Sequence, residues 1–199
     1  STSSHAQTIN VPIVGNHVMD DFRLLRILPT LEYLLKRGAR TVILSHHDGE
    51  NDTLKPVAEW LKVGFIPDPI FPRAKEFISG MSDGSAVLLE DLRHYPGEEK
   101  NNTQFAKQLA QLGDLYVNDA FASSHRRHAS IVSLPRLLPH YAGFRLEEEV
   151  RELSRPFDAP HPFVLILGGA KFGTKLPLLK KFVQKADIIF LLGALANPM

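Results

Sequence analysis

The feature that most constrains this chain is an almost unbroken alternation of short apolar runs with stretches of helical periodicity. Thr41-Val-Ile-Leu-Ser45, Ala86-Val-Leu-Leu-Glu90, Leu115 to Asn118, Phe163-Val-Leu-Ile-Leu167 and Ile188 to Leu192 are too apolar for strands with one wet face. Strands of that kind belong to parallel sheets covered by helices on both sides. The expected class is α/β, with a doubly wound, mostly parallel sheet and an incomplete second α/β domain.

The intervening segments supply the helices. Leu31, Leu34 and Leu35 share a face in a helix with Pro29 in its first turn and Gly38 at its end. Leu54, Val57, Ala58 and Leu61 fall at i, i+3, i+4 and i+7, and Val63 to Ile66 is a short strand candidate. Further helices are expected over Arg73 to Met81, around Phe105, Leu109 and Leu112, and along Leu146, Val150 and Leu153. On the last of these Glu147 and Arg151 are spaced to pair. The proline-rich stretch Arg155-Pro-Phe-Asp-Ala-Pro-His-Pro162 reads as a linker or hinge. Beyond it lies one βαβ unit whose helix places Leu179, Phe182, Val183 and Ala186 on one face. So few strands cannot bury both faces of a sheet, so a partner covering that edge is expected.

Composition removes several classes of function. Twenty-three basic and twenty-two acidic residues give a formal +1, so no global field draws the chain to nucleic acid or anionic membrane. There is no cysteine, which excludes disulfides and thiolate metal centres and fits a reducing compartment. No apolar run approaches a bilayer span, and cytoplasm or an organelle matrix, mitochondrial included, is the expected location. Ser1-Thr-Ser-Ser-His5 is neither an apolar signal core nor an arginine-rich transit peptide, and reads as a stub that leader removal could leave.

Two segments carry chemistry. Val117-Asn118-Asp119-Ala120-Phe121 is followed by Ser124 and then His125-Arg126-Arg127-His128. Imidazole and guanidinium groups at a strand's carboxyl end suit a phosphorylated anion, because open α/β sheets bind ligands at that edge. Gly168-Gly169-Ala170-Lys171 directly follows a strand, where backbone amides and a lysine can meet another phosphate. His125 and His128 with His46 or His47 lack a carboxylate or cysteine at ligand spacing, so no metal site is expected. Arg93 has a plain alternative as a salt bridge to Glu90 or Asp91, and Lys180, Lys181 and Lys185 as a solvated face.

Taken in order, Leu88-Leu-Glu-Asp-Leu-Arg93, Pro96-Gly-Glu-Glu99, Gly113-Asp-Leu-Tyr-Val-Asn-Asp-Ala-Phe121, His125-Arg126 and Leu167-Gly-Gly-Ala-Lys171 with Lys175 resemble phosphoglycerate kinase. Asn10-Val-Pro12, Arg23, Ser45-His46 and Leu54-Lys-Pro-Val-Ala58 agree. The resemblance implies two doubly wound domains joined by a helix, one binding 3-phosphoglycerate and the other Mg-ATP or Mg-ADP. Residues 1–155 would be the acid-binding domain and linking helix, and 156–199 the start of the nucleotide domain. By position, Asn10, Arg23, His46, Arg93 and Arg126 would hold the acid. Gly169, Ala170, Lys171, Lys175 and Gly193 would hold the nucleotide, with Arg23, Lys171 and Lys175 meeting the transferring group. There are departures: Thr8 stands for an aspartate, His47-Asp-Gly-Glu-Asn51 for a glycine, arginine and proline, Ala122 for a glycine and Thr174 for an aspartate. The resemblance thus leaves two expectations, a phosphoglycerate kinase that needs its nucleotide half to act, or an inactive relative serving as a structural subunit of a larger assembly. A third, ligand binding without catalysis, is compatible with retention of Arg23, Arg93 and Arg126.

Overall fold

A computed structural model describes residues 2–6, 11, 13–14, 17–47, 53–67, 71–169 and 172–193. The chain divides into two compact units, Ser1–Glu149 and Val150–Met199. The first is built on a six-stranded sheet in the order β5-β6-β4-β1-β7-β8, every pairing parallel. Its strands are β1 (Thr2–Ala6), β4 (Arg40–Leu44), β5 (Gly64–Ile66), β6 (Ala86–Leu89), β7 (Leu115–Asn118) and β8 (His140–Ala142). A separate antiparallel pair joins β2 (Ile13–Val14) to β3 (His17–Val18).

The consecutive buried residues of the central strands show why both faces must be covered. Val42, Leu44, Val87 and Leu89 pack on one side with Ala74 and Ile78 of α3 (Phe71–Ser79) and Phe105, Ala106 and Leu109 of α5 (Thr103–Ala110). Ile43 and Leu88 point the other way, onto Leu24, Ile27 and Leu31 of α1 (Phe22–Lys36) and Val57 and Ala58 of α2 (Lys55–Leu61). Alternate side chains of a strand leave opposite faces, so an apolar run feeds two cores at once. The short α4 (Pro96–Glu99) opens with proline where a missing N–H costs nothing, and Asn102 caps α5 by accepting from the Phe105 amide at 2.9 Å.

Several expectations need correction. Thr2–Ala6, which lacks any apolar pattern, is the strand between β4 and β7 at the centre of the sheet. Its place is set by pairing on both edges, which a polar sequence does not announce. Pro29 lies inside α1 instead of in its first turn. Proline there loses a bond to the Leu25 carbonyl, but Pro29 and Leu25 both face solvent while buried Leu24, Ile27 and Leu31 hold the helix together on its other side. On α6 (Phe144–Ser154), Arg151 reaches Glu152 at 3.2 Å instead of Glu147.

The second unit holds β9 (Val164–Gly168) paired in parallel with β10 (Ile188–Leu192), and α7 (Phe172–Phe182). Leu167 and Phe182 are buried, and Phe182 packs against Phe157 and Phe163 with ring centroids 5.0 and 5.8 Å away. Val183 and Ala186 lie beyond the end of α7, and Val183 is exposed, so the expected stripe stops at Phe182. Val164, Ile166, Ile188, Phe190 and Leu192 form an exposed apolar set on the strands. Among the described residues no helix is long and apolar enough to cross a membrane.

Candidate functional site

The parallel arrangement sends the ends of β4, β6 and β7 to one edge of the sheet, and the residues that follow them meet there. β4 delivers Ser45, His46 and His47, and β6 delivers Glu90, Asp91 and a one-turn 3-10 helix, Leu92–His94, carrying Arg93. β7 ends at Asn118 and leads through a second such turn, Phe121–Ser123, to Arg126 and His128. Asp91 fastens the first two together: one carboxylate oxygen accepts from the His47 amide at 2.9 Å, the other from the Arg93 amide at 2.8 Å. The Leu92 amide also donates to the Ser45 carbonyl at 3.1 Å. Glu90 is turned inward, accepting from the Leu54 and Asp91 amides at 2.8 and 2.9 Å and from the Thr53 hydroxyl at 2.7 Å. Both acids are engaged with backbone amides, and the Arg93 Nε lies 3.9 Å from the Glu99 carboxylate.

The β7 loop is held from below by a buried acid. Glu98, only 2% exposed, accepts from the Ser130 amide at 3.0 Å and from the Ser130 hydroxyl at 2.5 Å, with the His128 Nδ1 at 3.8 Å. Burial pushes the Glu98 carboxyl above its ordinary range, and the two Ser130 bonds oppose that rise. The His46 and His128 rings stand 6.4 Å apart, steeply inclined. Burial, then the charges of Arg93 and Arg126, bring His46 down from 6.5 to about 3. His47 and His128 are lowered too, in both cases chiefly by burial. His46 is therefore a neutral imidazole at pH 7, able to donate one hydrogen bond and accept another. For His47, Nε2 lies 3.1 Å from the Val11 carbonyl, which can only accept, so that nitrogen carries the proton. Arg93 is lowered by burial and by Arg126, which marks two guanidinium groups sharing one field.

These residues form a partly buried cationic cluster: two guanidinium groups, whose forked donors match the geometry of an oxyanion, beside neutral imidazoles with a hydrogen to donate. Of the expected acid-binding residues, His46, Arg93 and Arg126 come together. Arg23 is exposed on α1 and lines a recess of about 200 Å³ with Arg26, Asp119, Phe121, Arg145 and Glu149. Asn10, Thr8 and Asp48 to Asn51 lie outside the described residues. In the second unit Gly169 and Gly193 directly follow Gly168 and Leu192, which are register partners, so the two glycines leave adjacent strands side by side. Both have positive φ, 134° and 63°, a backbone that side chains disfavour, and a Cβ on Gly193 would meet nothing within 4 Å. Ala170 and Lys171 lie outside the described residues, as does the side chain of Lys175.

Sequence reasoning missed Glu98 and Ser130 as supports of the cluster and gave His128 no definite role. Glu98 stands within the quoted Pro96-Gly-Glu-Glu99 segment, but nothing local says which of the two glutamates turns inward. Among the described residues no group of three His, Asp or Glu side chains converges as a metal-ligand set.

An open parallel sheet with helices on both faces and a cluster of guanidinium and imidazole groups at its carboxyl edge defines the class as α/β. The phosphoglycerate kinase family model matches residues 7–199, and the chain belongs to that family. A phosphoglycerate kinase of Wolbachia pipientis from Culex pipiens is 45% identical over 201 residues, covering 94% of this chain and 50% of the relative. One from Orientia tsutsugamushi strain Ikeda is 43% identical over 202 residues, covering 95% and 50%. The solved phosphoglycerate kinase of Coxiella burnetii superposes with a TM-score of 0.84 at 33% identity, covering 96% of this chain and 51% of that one. That of Pyrococcus horikoshii gives 0.83 at 29%, covering 98% and 53%. The chain thus spans about half the length of the relatives it matches.

Proposed function

We propose that the first unit binds 3-phosphoglycerate, or a similar phosphorylated small acid, and is the acid-binding part of a phosphoglycerate kinase of glycolysis. The observation that carries this is the convergence of Arg93, Arg126 and His46 at one sheet edge, held from behind by Asp91 and Glu98. Arg93 and Arg126 neutralise the phosphate, and His46 donates to it from a buried, uncharged ring. Asn10 and Arg23 complete the ligand's surroundings in this reading. Gly169, Ala170, Lys171, Lys175 and Gly193 receive the phosphates of Mg-ADP or Mg-ATP, the paired glycine turns leaving backbone open for close approach.

In the reaction the bond from phosphorus to the acyl oxygen of 1,3-bisphosphoglycerate breaks as one forms to a β-phosphate oxygen of ADP. The charge that moves is met by Arg23, Lys171 and Lys175, and no side-chain nucleophile is required. The 199-residue chain alone is not expected to perform this step, because nucleotide affinity and closure around the reactants need the other half of the relatives' length. A coupled assay with 1,3-bisphosphoglycerate and ADP tests this: no ATP above background is expected from the chain alone, and turnover by it would refute the dependence.

A second reading is favoured by the exposed apolar set Val164, Ile166, Ile188, Phe190 and Leu192, together with the carboxylates near His47 where the family has an arginine. Here the chain is an inactive structural subunit, in cytoplasm or an organelle matrix, whose exposed strands are covered by a protein partner. Stable co-purification in a complex, with no calorimetric signal for 3-phosphoglycerate, would favour this reading over the first.

A further inference from the structure

We infer that Asp119 is a positioning residue that locks the turn carrying Arg126 to the amino end of α6, so that an anion held by Arg126 is felt along that helix. The inference rests on the anion-binding reading of the Arg126 cluster. Asp119 directly follows β7 and is 3% exposed. One of its oxygens accepts from the Arg145 and Leu146 amides, at 2.8 and 3.0 Å, which places a carboxylate on the positive end of α6. A side chain on Gly143 would collide with that carboxylate, so residue 143 must be bare for the approach to occur.

The other side of Asp119 is equally constrained. The Ala120 amide donates to the Asn118 side chain at 2.9 Å, and the Ser124 hydroxyl to the Ala120 carbonyl at 2.9 Å. The Arg126 amide then donates to the Ser123 carbonyl at 2.9 Å. Between the guanidinium and the helix cap the chain is therefore a short, internally bonded turn with little slack to absorb a displacement. α6 begins in the first unit and ends in the second, so its amino end is where ligand binding can act on the connection between them. Thr30 supplies a second cap, its hydroxyl accepting from the Phe144 amide at 3.0 Å, but it belongs to α1 and has no share in the Arg126 turn.

This difference makes the inference testable by amide hydrogen exchange at Arg145 and Leu146, with and without saturating 3-phosphoglycerate, alongside calorimetry of the same samples. The wild-type chain should gain about fivefold or more in protection at these amides when ligand binds, the low end of ordinary coupling between sites. D119N keeps an oxygen acceptor but loses the charge; it should still fold and bind, with the ligand-dependent gain reduced below about twofold. T30V removes the other cap and should lower basal protection while keeping the gain. Binding without any change at the two amides, or a full gain in D119N, would overturn the inference and leave the binding reading intact. Absence of calorimetric binding by the wild-type chain would overturn both.

Discussion

Lowering the pH from 7 to 5 should destabilise this fold by about 2 kcal/mol through His46 alone. The ring is buried beside Arg93, Arg126 and His128, and its folded value is brought from 6.5 to about 3. The folded value lies below the unfolded one, so between pH 6.5 and 3 the unfolded chain binds more protons. The stability contributed by neutral His46 is complete above the unfolded value and is lost as pH falls through this window. At pH 5 the unfolded ring is almost fully protonated and the folded ring almost not. About 1.5 pH units of difference, at about 1.36 kcal/mol each, gives the stated loss. His47 and His128 are also lowered and add to the total, so the informative quantity is a difference between proteins. Urea unfolding of the wild-type chain and of H46Q at both pH values supplies it, since the amide cannot titrate. The variant should lose about 2 kcal/mol less than the wild type between pH 7 and 5. Losses agreeing within about 0.5 kcal/mol would refute the claim that this imidazole is held neutral by burial and its cationic neighbours.

Three further outcomes follow from the same geometry. R126Q should weaken 3-phosphoglycerate binding by about tenfold or more in calorimetry and flatten its salt dependence, since a charge-assisted bond contributes about 1.5 to 3 kcal/mol. E90A, which strands the Leu54 and Asp91 amides and the Thr53 hydroxyl, should cost about 3 kcal/mol or more in urea unfolding. G143A should lower the melting temperature, because its methyl group must displace the Asp119 carboxylate from the α6 cap.

The class of fold was legible because parallel strands buried on both faces leave continuous apolar runs, and Val42 to Leu44 and Val87 to Leu89 do so. β1 was illegible for the opposite reason. Thr2 to Ala6 gain their place from backbone pairing with β4 and β7, and polar side chains in a strand give no periodic signal. The edge strand β8, with all its residues exposed, is hidden in the same way. At the site, the cations could be picked out because guanidinium and imidazole groups cluster visibly after Phe121. Their supports could not: Glu98 meets Ser130, and Asp119 meets Arg145 and Leu146, across more than twenty residues of chain, contacts that only the folded topology creates. Pro29 shows the limit of local rules, since a solvent-facing proline is tolerated in mid-helix when the buried stripe continues past it.

The most direct test of the central claim is isothermal calorimetry of 3-phosphoglycerate with the intact chain, repeated with R93Q and R126Q at two salt concentrations. Saturable binding that weakens with salt and falls by about tenfold or more in each variant is the predicted result. No binding, or binding indifferent to both substitutions, would contradict the assignment of this sheet edge to a phosphorylated acid.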